Sequence, residues 1–189
     1  MKRFMLAALL ITSYSAETMA DDNRTHALNF CPLGVPVYNL YAVNFEYFMT
    51  PQHGFDLRLD YAPLSDNDID ITDKAMIFNY RWYVNKSFNS IFAGAYTRYR
   101  INSGSGTASG TRFDYDSKEL TLGLNIGKRW LWKNGFNVVV LAGYGFSHFE
   151  ETVKHGNEAV DSAVDTFKDD NSLFFDNPFY GEFSIGYAF

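Results

Sequence analysis

The segment Phe55-Asp56-Leu57-Arg58-Leu59-Asp60-Tyr61 places an aromatic or aliphatic side chain at every odd position and a charge at every even one. Successive side chains of an extended strand leave opposite faces, so these seven residues make one face of hydrocarbon and one of ions. A helix would mix the two sets, because its faces repeat every 3.6 residues rather than every two. The segment is a strand, and what lies against each of its faces decides the fold.

The same period runs through most of the chain. Tyr41, Val43, Phe45, Tyr47 and Met49 alternate with Ala42, Asn44, Glu46 and Phe48, and Met76, Phe78, Tyr80 and Trp82 with Ala75, Ile77, Asn79 and Arg81. Ile91, Ala93, Ala95, Thr97 and Tyr99 oppose Phe92, Gly94, Tyr96, Arg98 and Arg100. Leu120, Leu122, Leu124 and Ile126 oppose Glu119, Thr121, Gly123, Asn125 and Gly127. Phe136, Val138, Val140, Ala142, Tyr144 and Phe146 form the apolar face of another strand, whose second face ends in Gly143, Gly145 and Ser147. The last strand sets Phe183, Ile185, Tyr187 and Phe189 against Glu182, Ser184, Gly186 and Ala188. A shorter strand over Ala27 to Gly34 brings the number to about eight, an even number as single-chain bacterial membrane barrels have.

Connection lengths test that topology, because such barrels alternate short turns at one end with long loops at the other. Short connections fall at Thr50 to Gly54, Asn85 to Asn89 and Lys133 to Gly135, and longer polar ones at Leu64 to Asp73, Asn102 to Ser117 and Glu150 to Asn177. The brief Val35 to Val37 connection is the exception. The chain holds 18 Phe, 13 Tyr and 3 Trp at a mean hydropathy of −0.21, so its rings either fill a core or face lipid. Trp82, Trp130 and Trp132 all lie beside expected short turns, which predicts an aromatic girdle at one membrane interface. The sequence therefore predicts an all-β fold, an antiparallel transmembrane up-and-down β-barrel, with its charges turned inward. A soluble periplasmic ligand-binding barrel is the alternative; it would leave the cell envelope on osmotic shock, whereas a spanning barrel needs detergent.

The N-terminus fits this destination. Lys2 and Arg3 precede the apolar run Phe4 to Ile11, and Thr18-Met19-Ala20 offers a small-residue cleavage site, so residues 1–20 read as a signal peptide and 21–189 as one barrel domain. The apolar run is too short to span as a helix, and no later segment approaches the length required. The mature part carries 14 basic and 21 acidic residues, a net charge of −7, which disfavours nucleic-acid binding. Cys31 stands alone, so no internal disulfide forms and a small buried hydrophobe is expected there. Leu28-Asn29-Phe30-Cys31 has the look of a lipoprotein site but lies too far beyond the apolar run.

The final strand, with aromatic Phe189 preceded at alternate positions by Tyr187, Ile185 and Phe183, resembles the C-terminal signature of bacterial outer-membrane barrels. With the export segment and the strand number, the whole mature chain resembles the small OmpA/OmpX-type barrels. Ala27-Leu28-Asn29 through Pro32-Leu33-Gly34, followed by Val43-Asn44-Phe45-Glu46-Tyr47, is similar to a family of short outer-membrane barrels of largely undefined function. The resemblance implies an integral outer-membrane protein whose Phe183, Ile185, Tyr187 and Phe189 are read as an assembly signal by the barrel-assembly machinery; the reading adopted is a monomeric barrel anchored in outer-membrane lipid, in a structural or surface-interaction role, whose long external loops either contact lipopolysaccharide or engage a surface partner.

A barrel of about eight strands is wide enough only for its own side chains, so an open solute channel is not expected. Its inward set should include Glu46, Asp56, Arg58, Asp60, Arg81, Arg98, Arg100, Glu119 and Glu182, and buried charges of both signs must pair, which predicts a lumen charge network rather than an ion path. Some barrels of this size are enzymes acting on lipid A through a Ser and a His near the outer rim. Ser147 and His148 are adjacent here, but strand neighbours point to opposite faces, so no catalytic residue is assigned. A change in lipid A mass on overproduction would reveal that alternative. Asp66, Asp68, Asp70 and Asp73 crowd one expected external loop and Asp165, Asp169 and Asp170 another. The first set has Ile71 and Ile77 where a calcium loop needs Gly and Glu, so solvated acidic loops are expected, with weak cation bridging to lipopolysaccharide as a secondary reading. His26, His53, His148 and His155 lack metal-ligand spacing; neither a metal nor a cofactor is expected. Asn102 to Thr111 reads as a flexible Gly/Ser-rich loop tip. By the same face assignment, Arg should be tolerated worse at Leu122 than at Thr121.

Overall fold

The computed structural model describes residues 24–66, 68–175 and 177–189. The expected signal peptide, residues 1–20, lies outside them. Eight strands run in sequence order, each antiparallel to the next, and close into a barrel: β1 (His26–Phe30), β2 (Tyr41–Thr50), β3 (His53–Asp66), β4 (Ile69–Tyr83), β5 (Ile91–Ala108), β6 (Thr111–Leu131), β7 (Phe136–Lys154) and β8 (Phe179–Ala188). Two helices interrupt them, α1 (Gly34–Tyr38) after β1 and α2 (Glu158–Asp170) before β8. Closure leaves no unpaired sheet edge along the paired lengths. The seam is clasped where His26 and Phe189 exchange backbone hydrogen bonds of 3.0 and 2.9 Å.

Register fixes the geometry. From His26 the paired row passes through Tyr47, Phe55, Tyr80, Ala95, Leu124 and Tyr144 to Phe179, ten residues from Phe189, the residue bonded to His26 (189 minus 179). With a rise of about 3.3 Å per residue and a strand spacing of about 4.8 Å, that offset over eight strands gives a tilt of about 40° and an axial rise of about 2.5 Å per residue. Ten residues of β6, from Trp130 to Leu120, therefore cover about 25 Å along the axis, the height of the apolar band of outer-membrane barrels.

Three turns at one end are short, as expected. At the other end the expected long loops are mostly strand. β3 extends to Asp66 and β4 begins at Ile69 after a turn residue, Asp68; β5 and β6 extend to a turn at Ser109 and Gly110, and β7 runs on to Lys154 before α2. The expected flexible tip at Asn102 to Thr111 is likewise the paired end of β5, where Gly104 lets the backbone approach Asp70: a Cβ there would sit 2.0 Å from the Asp70 carbonyl oxygen. Of the supposed loop acids, Asp66, Asp70 and Asp73 lie on strands and only Asp68 on the turn; Asp165, Asp169 and Asp170 lie on α2. The first strand stops at Phe30, short of Gly34, and the Val35 to Val37 connection is α1.

The extended part persists because its alternation changes sense. Below the row Tyr61, Lys74, Ile101, Lys118 and Glu150, which are register partners, the outward side chains of β3 to β7 are mostly apolar, Thr97, Lys128 and His148 apart, and the inward ones largely polar. Above it the outward residues include Asp70, Ser105, Asp114, Asp116 and Thr152, while Leu64, Ile69, Ile71, Phe113 and Tyr115 turn inward and are buried. Against that inner wall pack Val160, Val164 and Phe167 of α2, with Phe174 and Phe175 following it. Asn157 caps the helix, its side chain accepting from the Val160 N–H at 3.0 Å. Lys168 reaches from α2 to Glu151 of β7 at 2.9 Å.

Candidate functional site

The interior of the barrel is the most chemically dense part of the molecule. Glu46 lies opposite Asp56 in the register of β2 and β3, a like-charge pair that needs a cation between its members. Arg81 on β4 supplies it. Its Nη1 donates to Glu46 at 3.0 Å, and its Nη2 donates to Asp56 at 3.1 Å and to Glu182 of β8 at 3.3 Å, with all four side chains fully buried. Arg129 on β6 also donates to Glu46. Neutral donors complete the shells: Tyr83 to Glu46 at 2.6 Å, Asn44 and Asn79 to Asp56 at 3.2 and 3.0 Å, Tyr180 and Ser184 to Glu182 at 3.1 and 2.6 Å.

A second cluster sits toward the extended end. Glu119 accepts from Arg98 at 2.7 Å and Arg100 at 3.2 Å, and also from Ser147 and Thr121. Arg100 meets Asp73 at 3.1 Å, out of hydrogen-bonding alignment. Arg58 pairs with Asp60 at 2.6 Å and lies 3.9 Å from Glu182, which ties Asp60 to the first cluster. Arg58 and Arg98 also serve the backbone. β1 ends opposite Ile185, so on that side β8 has no strand partner from Phe183 to Phe179. Arg98 donates to the carbonyls of Asn177 at 2.6 Å and Phe179 at 3.4 Å, and Arg58 to that of Gly181 at 3.4 Å. Carbonyls that would otherwise lose their partners are thus satisfied from within.

Apolar clusters lie on both sides of the charged residues. At the short-turn end Phe48 stacks on Phe88 with ring centroids 4.0 Å apart, Tyr83 meets Phe88 edge-on at 5.3 Å, and the guanidinium of Arg129 lies 4.7 Å from the Phe48 ring centre. Such cation–π contacts stabilise a desolvated guanidinium by about 2 kcal/mol. In the middle, Tyr96 and Phe92 of β5 cross toward β6 and β7, which present Gly123, Gly127 and Gly145. A Cβ on Gly123 would stand 2.5 Å from the Tyr96 ring, and one on Gly127 would stand 2.4 Å from that of Phe92. At the other end α2 and the residues after it pack on Leu64, Ile71, Phe113 and Tyr115.

The nine charges expected inside, Glu46, Asp56, Arg58, Asp60, Arg81, Arg98, Arg100, Glu119 and Glu182, all point inward, and each is paired within one of the two clusters. Arg129, Asp73, Tyr83 and Tyr180 were not anticipated. Arg129 continues the inward parity of Asn125 and Gly127 by one more step of two, a signal present in the sequence; Asp73 was hidden among the supposed loop acids. Trp82, Trp130 and Trp132 lie at the short-turn end, with Trp82 and Trp132 exposed and Trp130 partly so. Phe183, Tyr187 and Phe189 point outward and are exposed, and Ile185 is partly covered. Ser147 is held by Glu119, whereas His148 points outward to Glu150 at 3.3 Å, so the two do not meet. Cys31 is buried and free. Among the described residues no group of three or more His, Cys, Asp or Glu is placed to hold a metal ion, and no helix is long and apolar enough to cross a membrane.

The chain belongs to the family described as "Protein of unknown function (DUF3575)", which it matches over residues 8–174. Among solved structures it is similar to Acinetobacter baumannii CarO, at 12% sequence identity over 87% of this chain and 97% of that one, with a TM-score of 0.42. It is similar also to Acinetobacter baumannii CarO2, at 10% identity over 88% and 98% of the two chains, with a TM-score of 0.42. No curated protein sequence matches it.

Proposed function

We propose that this chain is a monomeric bacterial outer-membrane protein that crosses the bilayer as a closed, non-conducting barrel and holds a capped β extension outside the cell for contact with lipopolysaccharide or a surface partner. The observation that carries this reading is the reversal of sidedness along single continuous strands. On β6, Leu120, Leu122, Leu124 and Ile126 face outward around inward Glu119 and Thr121, while a few residues further up Asp114 and Asp116 face outward around inward Phe113 and Tyr115. A soluble barrel would keep one sense along its whole length, because one solvent surrounds it. Two senses require two solvents, hydrocarbon for the lower part and water for the upper.

The orientation follows. The short turns and both strand termini face the periplasm, where Trp82, Trp130 and Trp132 act as interface anchors, and α2 faces the exterior. The lumen network replaces water as the partner of its ions, and the aromatic layer below it and α2 above it leave solutes no path. Phe183, Ile185, Tyr187 and Phe189 serve as the assembly signal. The reading needs no cofactor and assigns no catalytic residue. Conductance of the purified protein in planar bilayers tests it, together with protease treatment of intact cells. The expected results are no stepwise current and cleavage confined to residues beyond the Lys118 row; steady unit conductance, or release of the folded protein by osmotic shock, would refute it.

A further inference from the structure

Where β1 ends, the barrel wall is low. The chain leaves Cys31, forms α1 and returns to β2 through Asn39 in the left-handed conformation at φ 52°, with Leu40 N–H donating to the Gly34 carbonyl at 3.0 Å. Gly34 is required at that crossing, since a Cβ would lie 2.5 Å from the Leu40 carbonyl oxygen. The helix is Gly-Val-Pro-Val-Tyr, without a polar face, and Leu33, Val35, Val37 and Tyr38 are all exposed. A water-facing connection has no reason to show four large apolar side chains in six residues.

Val35 shares with the outer face of β1 to β3 a groove of about 380 Å³, lined by Phe30, Val43 and Leu59, which are register partners, and by Tyr41 and Tyr61, one pair further up. The two tyrosine rings are 6.3 Å apart. Lys74, opposite Tyr61, is exposed on the same outer face, in the row where the strands reverse sidedness. Elsewhere on the apolar band Leu122 and Leu124 stand out from the wall at 60% and 71% exposure. We infer that α1 and the β1–β3 face form a seat for one acyl chain of an anionic outer-leaflet lipid, the chain lying along Phe30, Val43 and Leu59 beneath Val35 and the phosphate reaching Lys74. The inference rests on the membrane-spanning reading above. Three observations support it: the groove is continuous with the apolar outer face, Lys74 stands in register beside Tyr61 at its upper end while the one carboxylate in its lining, Asp60, is already paired with Arg58, and the helix that overhangs it is wholly apolar.

The test is photo-crosslinking of the full mature chain in nanodiscs containing phosphatidylglycerol with a diazirine on its acyl chain, with labelled residues mapped by mass spectrometry. Exposure alone would favour Leu124 over Val43, which is 42% exposed. A seat predicts the reverse, with labelling at Val35, Val43 and Leu59 at least about fivefold above that at Leu122 and Leu124. Val43→Trp, which fills the groove, should lower labelling at Val35 and Leu59 by a similar factor without moving the folded band on a gel, and Lys74→Gln should lower it by about half. Strong labelling at Leu122 and Leu124 with none in the groove, or no response to Val43→Trp, overturns the seat while leaving the spanning barrel intact. Labelling nowhere on the band overturns both.

Discussion

Replacing Arg81 by methionine should be among the most damaging single changes in this protein, and the geometry says which second change should repair it. The guanidinium touches three carboxylates within 3.3 Å, all fully buried. Removing one partner from a buried ion pair costs about 3–5 kcal/mol, most of it the penalty of the stranded charge. The three acids are not stranded equally. Glu46 keeps Arg129 and the Tyr83 hydroxyl, and Glu182 keeps Arg58 at 3.9 Å with Tyr180 and Ser184. Asp56 keeps only the amides of Asn44 and Asn79. Asp56→Asn should therefore restore about 2 kcal/mol in the Arg81→Met background, and Glu46→Gln or Glu182→Gln should restore less, a coupling within the range of contacting residues. Reversible urea unfolding in detergent micelles, followed by tryptophan fluorescence, measures the set. Arg81→Met within about 0.5 kcal/mol of the parent, or equal rescue by all three acids, would refute the argument that the network is a dry, specifically paired interior.

Leu122→Arg should cost about 2–4 kcal/mol in the same assay, and Thr121→Arg at least as much, against the simple expectation of a milder inward site: Thr121 is fully buried beside Arg98 at 3.2 Å, so a new cation there is both crowded and repelled. Gly123→Ala should cost about 1–3 kcal/mol through collision with Tyr96, whereas Gly181→Ala, with nothing within 4 Å, should be silent; equal midpoints would deny that the glycines make room for the rings. Phe167→Ala should loosen α2 by about 3–5 kcal/mol locally, so that protease cuts within residues 158–170 while the barrel keeps its heat-modifiable migration; loss of both together would make cap and barrel one unit. Deleting Phe189 should lower the outer-membrane yield more than deleting any one exposed residue of α2, measured by quantitative blotting of membrane fractions.

The lower part of this fold was legible because an apolar outer face and paired ions inside are both one-residue-alternate demands, and the side chains of Phe55 to Tyr61 meet them without exception. The extension was not. From Thr111 to Ser117 the polar residues Arg112, Asp114 and Asp116 alternate with Phe113 and Tyr115, which is a strand pattern too, but one whose apolar face points the other way. Read by composition, the segment is a loop; read by parity, it continues β6. Gly104 and Gly106 misled for a related reason. Glycine signals flexibility only where nothing approaches it, and here a Cβ on Gly106 would stand 2.6 Å from the ring of Phe113. No propensity of α2 itself could show what Val160, Val164 and Phe167 pack upon, because their partners lie on β3 to β6 and become a surface only once those strands extend.

Packing of the interior depends on volume as much as on charge. Five arginines (Arg58, Arg81, Arg98, Arg100, Arg129) face six carboxylates (Glu46, Asp56, Asp60, Asp73, Glu119, Glu182) in the two clusters. Near-neutrality lets the ions pair, but pairing alone would leave water between them. The inward glycines of β6 and β7 draw Tyr96 and Phe92 across the axis, and Arg81 lies 5.0 Å from the Phe92 ring centre, so ring and guanidinium share one layer. Once water is displaced, each lost partner becomes costly, which fixes the register of every strand that contributes a charge. A chain held rigid in this way from within can carry an extended, capped outer part on β3 to β7 without needing that part for its own stability. The outward side chains of that part are therefore the ones free to change without disturbing the interior.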